Sequence, residues 1–326
     1  KYRDELSVLA SCGKPLLPVF NFVSSSEQRE PQWREALARL GLHAVVRFDS
    51  VAPPQDGEQR LYESLALLLE DSRPQLERLV RDHEAQRQSR HASATQLIAE
   101  LLIDCAAYRH SVKSAAAAEQ QAIDNLRKAV RQREQRCVEA LLKLYAFRPG
   151  DASAAELPLL DGRWGDDLFN PETLRQLGVN VGSGIAAGAA AGAGVDLLVG
   201  GLTLGTAALA GALAGGALQT ARSYGNRLLG KLKGKRELTV DDSVLRLLAL
   251  RQTLLLQALD CRGHAATDSV EVEMPAEKTW REGKLPEPLQ KARAHPQWST
   301  LNSKATPSQP LRQQQIEALA QVIAQP

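Results

Sequence analysis

Cysteine, aromatic residues and charge imbalance are all scarce in this chain. Its 326 residues hold four cysteines, and aromatics make up 4%. Cys12, Cys105, Cys137 and Cys261 stand far apart and form no CxxC pair, so they read as small core residues rather than a zinc site. Such usage fits the reduced thiols of a cytoplasmic protein. Lysine plus arginine number 40 against 38 aspartate plus glutamate, so no strong overall attraction to nucleic acid follows. His83 opens "HEAQR", which lacks the second histidine of a zinc-protease helix, and no metal site is expected. No Ser/His/Asp or Cys/His arrangement is legible from spacing, so no catalytic residue is assigned. No secretory signal opens the chain. What abounds is alanine, leucine and arginine, the composition of a helical protein long enough for two or three domains.

Composition shifts divide the sequence into residues 1–72, 73–148, 149–177, 178–236 and 237–326. In the first part, "KPLLPVFNFV" and "LHAVVRFDSV" read as buried strands. A helix precedes them, "QWREALARLG" lies between them with Gly41 as its cap, and "EQRLYESLALLLE" follows. This α-β-α-β-α alternation implies a parallel sheet with right-handed crossovers. Two strands do not make a stable open sheet, so further strands are expected upstream or from another chain.

"KPLLPVFNFVSS" resembles the strand and loop that carry the guanine-reading NKxD motif of Era-like GTPases. "VVRFDSV" is similar to their last strand, whose loop touches the base. The resemblance implies that Asn21, Asp49 and Ser50 lie on the base side of a nucleotide. Phe22 and Ser24 stand at the Lys and Asp positions of the motif, and Ser24 cannot replace the charge-assisted bonds of an aspartate. More broadly, the chain resembles a domain of unknown function that follows an Era-like GTPase domain in bacterial proteins. The carriers are "YRDELSVLASCGKPLLPVFNFV", "LARLGLHAVVRFDSVAP", "AGVDLLVGGLTLGTAAL" and "GKLPEPLQKARAHPQWSTLN". That resemblance places the phosphate-binding loop, GTP and magnesium with an upstream half, and this chain alone is expected to have no GTPase activity.

Between Pro74 and Pro149 there is neither glycine nor proline, and helix formers dominate. Apolar residues recur three and four apart, as on one buried stripe. The stripe fades between Asp82 and Ser93 and around Arg109–Ser114, where bends are expected. Next comes a loop from Pro149 to about Asn170, with Trp164 and Phe169 expected to pin it to a core. Residues 181–218 are more than half glycine or alanine. Their eleven glycines would cost a helix on the order of 10 kcal/mol relative to alanine, so close packing must compensate. Gly184, Gly188 and Gly192 are four apart, as are Gly201 and Gly205, and Gly211 and Gly215. This glycine-zipper spacing lets helices approach closely and predicts a helical hairpin turning at Gly200-Gly201. Two environments are open for it, a membrane and a soluble core. Asp196 and the shortage of leucine argue for the core. The basic flank of Arg227, Lys231, Lys233, Lys235 and Arg236 argues for an anionic lipid surface at the inner face of the membrane. "GNRLLGKL" satisfies GxxxxGK, but Leu232 replaces the magnesium-binding Ser or Thr and no strand precedes it.

Toward the end, "VDDSVLRLLALRQTLLLQALDC" reads as a central helix capped by Asp241 or Asp242. Two surface helices follow, with Trp280 and Trp298 as packing anchors. The fold class expected is mostly α with an N-terminal α/β portion: a partial GTPase-like parallel sheet, then a helical bundle containing the Gly/Ala-rich hairpin. The functional expectation is a helical effector or accessory module of an Era-like GTP-binding protein. Its partners would be the upstream GTPase half and an anionic membrane surface or a protein, with no specific nucleic acid. The alternative is a soluble, non-enzymatic scaffold with a structural sheet remnant.

Overall fold

The computed structural model describes residues 3–21, 29–48, 57–113, 116–147, 158–159, 162–170, 173, 195–198, 235–261, 280 and 284–325. Among them the protein is mostly helical, with one two-stranded parallel sheet and one three-stranded antiparallel sheet. It divides into two compact units. The first takes residues 1–91, 147–157 and 257–271, and the second takes 92–146, 158–256 and 272–326.

In the first unit the expected alternation is present. Its elements are α1 (Arg3–Ser11), β1 (Val19–Phe20), α2 (Glu30–Ala38), β2 (Val46–Arg47) and α3 (Gly57–Leu68). The strands pair in parallel, Val19 opposite Val46 and Phe20 opposite Arg47. Pro31 sits in the first turn of α2, where its missing N–H is not needed. The helix ends at Gly41 with φ +77°. There Gly41 N–H donates to Ala38 O and Leu42 N–H to Leu37 O, both at 3.0 Å. This is the double bond of a Schellman cap, which a left-handed glycine permits. Burial is thin here: Val8, Leu9, Val19, Trp33, Leu67 and Leu69 are between 41% and 77% exposed.

Helix α4 (Arg73–Ala107) is continuous over 35 residues. The bend expected at Asp82–Ser93 is absent. Those residues are intrinsically good helix formers, and pairs on the helix surface support them: Arg78–Asp82 at 3.8 Å, Arg87–Glu84 at 2.9 Å and Gln88 to Glu84 at 2.7 Å. A faded apolar stripe there marks an exposed stretch of helix rather than its end. The second expected break is real: α4 stops at Ala107, β3 (His110–Lys113) follows, and α5 (Ala116–Leu144) begins.

The second unit holds the main core. Residues 92–107 of α4 pack with α5, α6 (Asp242–Cys261), α7 (Glu287–Ala294) and α8 (Pro310–Ala324). Ile98, Leu101, Leu126, Val130, Leu141, Leu245, Leu248 and Ile316 are completely buried. Asp241 caps α6 by accepting from the Ser243 N–H at 2.7 Å, which satisfies an otherwise unpaired donor of the first turn. Trp280 and Trp298 are buried as expected. A sheet of β4 (Val195–Leu198), β5 (Lys235–Val240) and β3, with β5 in the middle, was not expected. Val195–Leu198 lies inside the stretch read as a helical hairpin, and it is strand instead. "VDLLV" is the longest run there without glycine or alanine, and "ELTV" of β5 brings the β-branched residues that suit a pleated, half-buried surface. The remainder of residues 181–218 lies outside the described residues.

Leu101→Ala should lower the stability of the second unit by about 2–5 kcal/mol, because the site is closed on all sides. Leu67→Ala, at an exposed position of the first unit, should change stability by less than about 0.5 kcal/mol. Urea denaturation of both variants checks the contrast.

Candidate functional site

Asp104 sits near the end of α4 in "LLIDCAA" and is 1% exposed. A carboxylate there must be paired and hydrogen-bonded to be tolerated. Both oxygens are. Oδ2 accepts from Arg133 Nε of α5 at 2.7 Å and from the Thr300 hydroxyl at 2.8 Å. Oδ1 accepts from the Thr300 N–H at 3.0 Å and from Arg312 Nη2 of α8 at 3.1 Å. Arg312 is itself held by the Trp298 carbonyl at 2.8 Å. One aspartate thus joins two long helices, the turn after Trp298 and the last helix.

The same segment closes the end of α4, whose last carbonyls have no partner within the helix. Arg109 Nη1 donates to Ala106 O at 3.3 Å and to Tyr108 O at 3.0 Å, and Asn302 Nδ2 reaches Ala107 O at 3.4 Å. Arg109 Nη2 also donates to Arg293 O of α7 at 2.6 Å, and Arg293 in turn donates to Val240 O at 2.9 Å. His295 stacks on Trp298 with ring centroids 4.3 Å apart, and the indole N–H is taken by Gln309 at 2.8 Å.

A second buried cluster lies between α5, α6 and the segment Gly162–Asn170. Glu134 of α5 is 6% exposed and Arg251 of α6 is 2% exposed. Glu134 Oε1 and Arg251 Nη1 are 3.6 Å apart, an ion pair longer than a hydrogen bond, and among the described residues neither atom has a hydrogen-bond partner. Nor does the Trp164 indole N–H among the described residues, while the Arg251 guanidinium lies over the Trp164 ring at 5.2 Å. Burial pushes the Glu134 carboxyl up to about 7 against the pull of Arg251, and Asp167 adds to the rise. The thiols of Cys105 and Cys137 are pushed up by burial, Cys137 to about 12. Neither is a nucleophile near neutral pH.

Of the residues singled out in the sequence, Asn21 is exposed and directly follows β1. Lys235 and Arg236 open β5, in register with Lys113 and Val112 of β3. Asp49, Ser50, Gly184, Gly188, Gly192, Gly201, Gly205, Gly211, Gly215, Arg227, Lys231 and Lys233 lie outside the described residues, as does "GNRLLGKL". Trp164 and Phe169 do anchor their loop, Phe169 beneath Arg127 and Arg131 at 5.4 and 5.1 Å. His83 and His91 pair with Glu58 at 3.2 Å and Asp260 at 2.8 Å. Sequence reading missed Asp104, Arg133, Glu134, Arg251 and Arg312. One signal was present: arginine inside the leucine-rich "LRLLALRQTLLL" cannot stay buried without a carboxylate or carbonyl to meet it.

These features define a mostly helical protein whose larger unit is organised by buried arginine–carboxylate clusters. The chain belongs to the family described as "Domain of unknown function (DUF3482)", whose model matches residues 34–321. No curated protein and no solved structure matches it. Among the described residues, no helix is long and apolar enough to cross a membrane.

Asp104→Ala should cost about 3–5 kcal/mol, because it strands Arg133 and Arg312 as buried, unpaired charges. A loss below about 1 kcal/mol in guanidinium denaturation would show that the cluster does not hold the unit together. Glu134 has the opposite sign. Its folded carboxyl lies at about 7, above the unfolded 4.5, so its contribution is fully present below 4.5 and lost as pH rises toward 7. Melting temperature should therefore fall less between pH 5 and pH 8 in Glu134→Gln than in the unmodified chain.

Proposed function

We propose that this chain is the helical effector module of an Era-like GTP-binding protein, joined to the second half of that protein's α/β domain. The observation that carries the reading is the β1–α2–β2 unit. A parallel sheet is stable when covered on both faces, and an isolated pair of strands is marginal. Around this pair, Val8, Leu9, Val19, Trp33, Leu67 and Leu69 stand exposed. Apolar side chains gathered around an unfinished parallel sheet fit strands and helices supplied by another α/β half.

The parallel pairing also puts the carboxyl ends of β1 and β2 on one side of the sheet, the side where open α/β sheets bind ligands. Asn21 follows β1, and Asp49 and Ser50 follow β2 in sequence. In this reading those three residues lie on the base side of GTP, while the other half brings the phosphate-binding loop and magnesium. Nucleotide state then repositions the helical unit. Arg227, Lys231, Lys233, Lys235 and Arg236 serve contact with an anionic membrane surface on the cytoplasmic side. The glycines at 184, 188, 192, 201, 205, 211 and 215 serve close approach of that stretch to its neighbour.

The test is a calorimetric titration, with magnesium, of the chain alone and of the chain joined to a half that bears a phosphate-binding loop. The chain alone should neither bind nor hydrolyse GTP. The joined protein should bind it with only weak preference over ATP, because Phe22 and Ser24 replace the base-reading Lys and Asp. Joining should also reduce acrylamide quenching of tryptophan emission as Trp33 becomes covered. A joined protein that binds no nucleotide, with quenching unchanged, sinks the reading.

A further inference from the structure

The loop Gly162–Asn170 buries Leu168 and Phe169, 1% and 4% exposed, and most of its polar ties to α5 and α6 are made by cations. Arg131 grips the Asp167 carboxylate through two hydrogen bonds of 2.9 Å. Arg127 and Arg131 cover the Phe169 ring at 5.4 and 5.1 Å. Arg251 donates to the Asp166 carbonyl at 2.8 Å and lies over Trp164 at 5.2 Å. Gln135 adds one neutral bond, to Gly162 O at 3.2 Å. Set among these ties is one buried carboxyl group, that of Glu134. It is only 3.6 Å from Arg251 Nη1 yet, among the described residues, has no hydrogen bond on Oε1.

We propose that Gly162–Asn170 is a strap whose release from α5 and α6 is driven by ionisation of Glu134. When neutral, Glu134 costs little to bury and does not repel the strap. When ionised, it is a desolvated charge with one long ion pair, and it repels Asp167 on the strap. Opening lets water reach it, which lowers its proton affinity toward that of an ordinary glutamate. The closed form therefore binds the proton more tightly than the open form. By linkage, rising pH favours opening, with a slope of at most about tenfold per pH unit for one proton. The effect levels off once Glu134 is ionised in the closed form.

The other charged groups around Glu134 lie on α5, α6 and the strap. Arg131 on α5 and Arg251 on α6 are cations that oppose its rise. On the strap, the hydrogen bonds from Arg131 hold Asp167 below the usual carboxylate range despite its partial burial. The Asp166 carboxylate faces Arg251. The thiols of Cys105 on α4 and Cys137 on α5, raised by burial, stay neutral.

Hydrogen exchange of the full chain tests the proposal between pH 5 and pH 9. It is read by mass spectrometry on peptides covering 162–170 and corrected for the intrinsic pH dependence of exchange. Strap opening should rise by up to about tenfold per unit from pH 5 to pH 7 and then level off, while α5 peptides stay protected. In Glu134→Gln the strap should remain closed throughout. Arg131→Gln should open it at every pH and keep the rise. A flat profile in the unmodified protein overturns the proposal, and so does a Glu134→Gln profile that still rises. Should Glu134→Gln not fold, carbon-13 NMR of the glutamate carboxyls in the unmodified chain decides. A carboxyl titrating together with the strap supports the proposal, and none titrating above pH 6 overturns it.

Discussion

The second unit depends on one buried negative charge. Asp104 is surrounded by hydrophobic side chains of α4, and an isolated carboxylate there would be prohibitively costly. It is tolerated because four donors converge on it from α5, the turn at Thr300 and α8. The donors are constrained in return: without Asp104, Arg133 and Arg312 would be cations in the same apolar surroundings. Hydrophobic contacts would still draw these helices together, but they tolerate sliding by a turn. Four directed bonds to two oxygens do not, so we attribute the register of α4, α5 and α8 to this cluster. The stitching of the Arg109–Asn302 region onto the end of α4 follows from the same docking, since Thr300 and Asn302 belong to one turn.

Glu134 shows what happens when a similar group lacks donors. It is buried nearly as deeply as Asp104 and stands next to Arg133 in sequence, yet among the described residues its ion pair is with one guanidinium, that of Arg251, at 3.6 Å. The difference is geometric. Arg251 is already committed to the Asp166 carbonyl and to the face of Trp164, so it cannot turn fully toward the carboxylate. A saturated cluster fixes the helices, while an undersatisfied one a single residue further along α5 leaves the neighbouring loop only conditionally attached. Two adjacent residues, Arg133 and Glu134, thereby serve a rigid contact and a labile one on different sides of the same helix.

Much of the helical architecture was legible because it rests on local signals. The absence of glycine and proline from 75–148 marked α4 and α5, Asp241 marked the start of α6, and Gly41 marked the end of α2. The antiparallel sheet was not legible. Its strands are four to six residues long and come from three distant places, each beside a stronger signal: a helix end, a glycine-rich run and a basic cluster. The buried clusters were hidden for a related reason. Asp104 finds its partners 29 to 208 residues away, and no periodicity encodes that pairing. Only the arginines within the leucine-rich α6 betrayed that something charged lay inside. In the first unit β1 and β2 were foreseen, because β-rich apolar runs between helices leave few alternatives, but each is two residues long and Val19, expected to be buried, is 43% exposed.

The two units also differ in how completely they account for their own surfaces. In the second, Leu311 is the one exposed large hydrophobic side chain among the described residues. In the first, exposed aliphatic and aromatic residues occur on α1, β1, α2 and α3, around a sheet of two strands. Exposed apolar area on this scale carries a standing free-energy cost, which selection tolerates where another surface is to cover it. The sheet restricts what that surface is. Unpaired strand edges call for strands, and parallel strands call for crossover helices on both faces. The first unit therefore reads as an attachment point for α/β structure and the second as a self-supporting helical body.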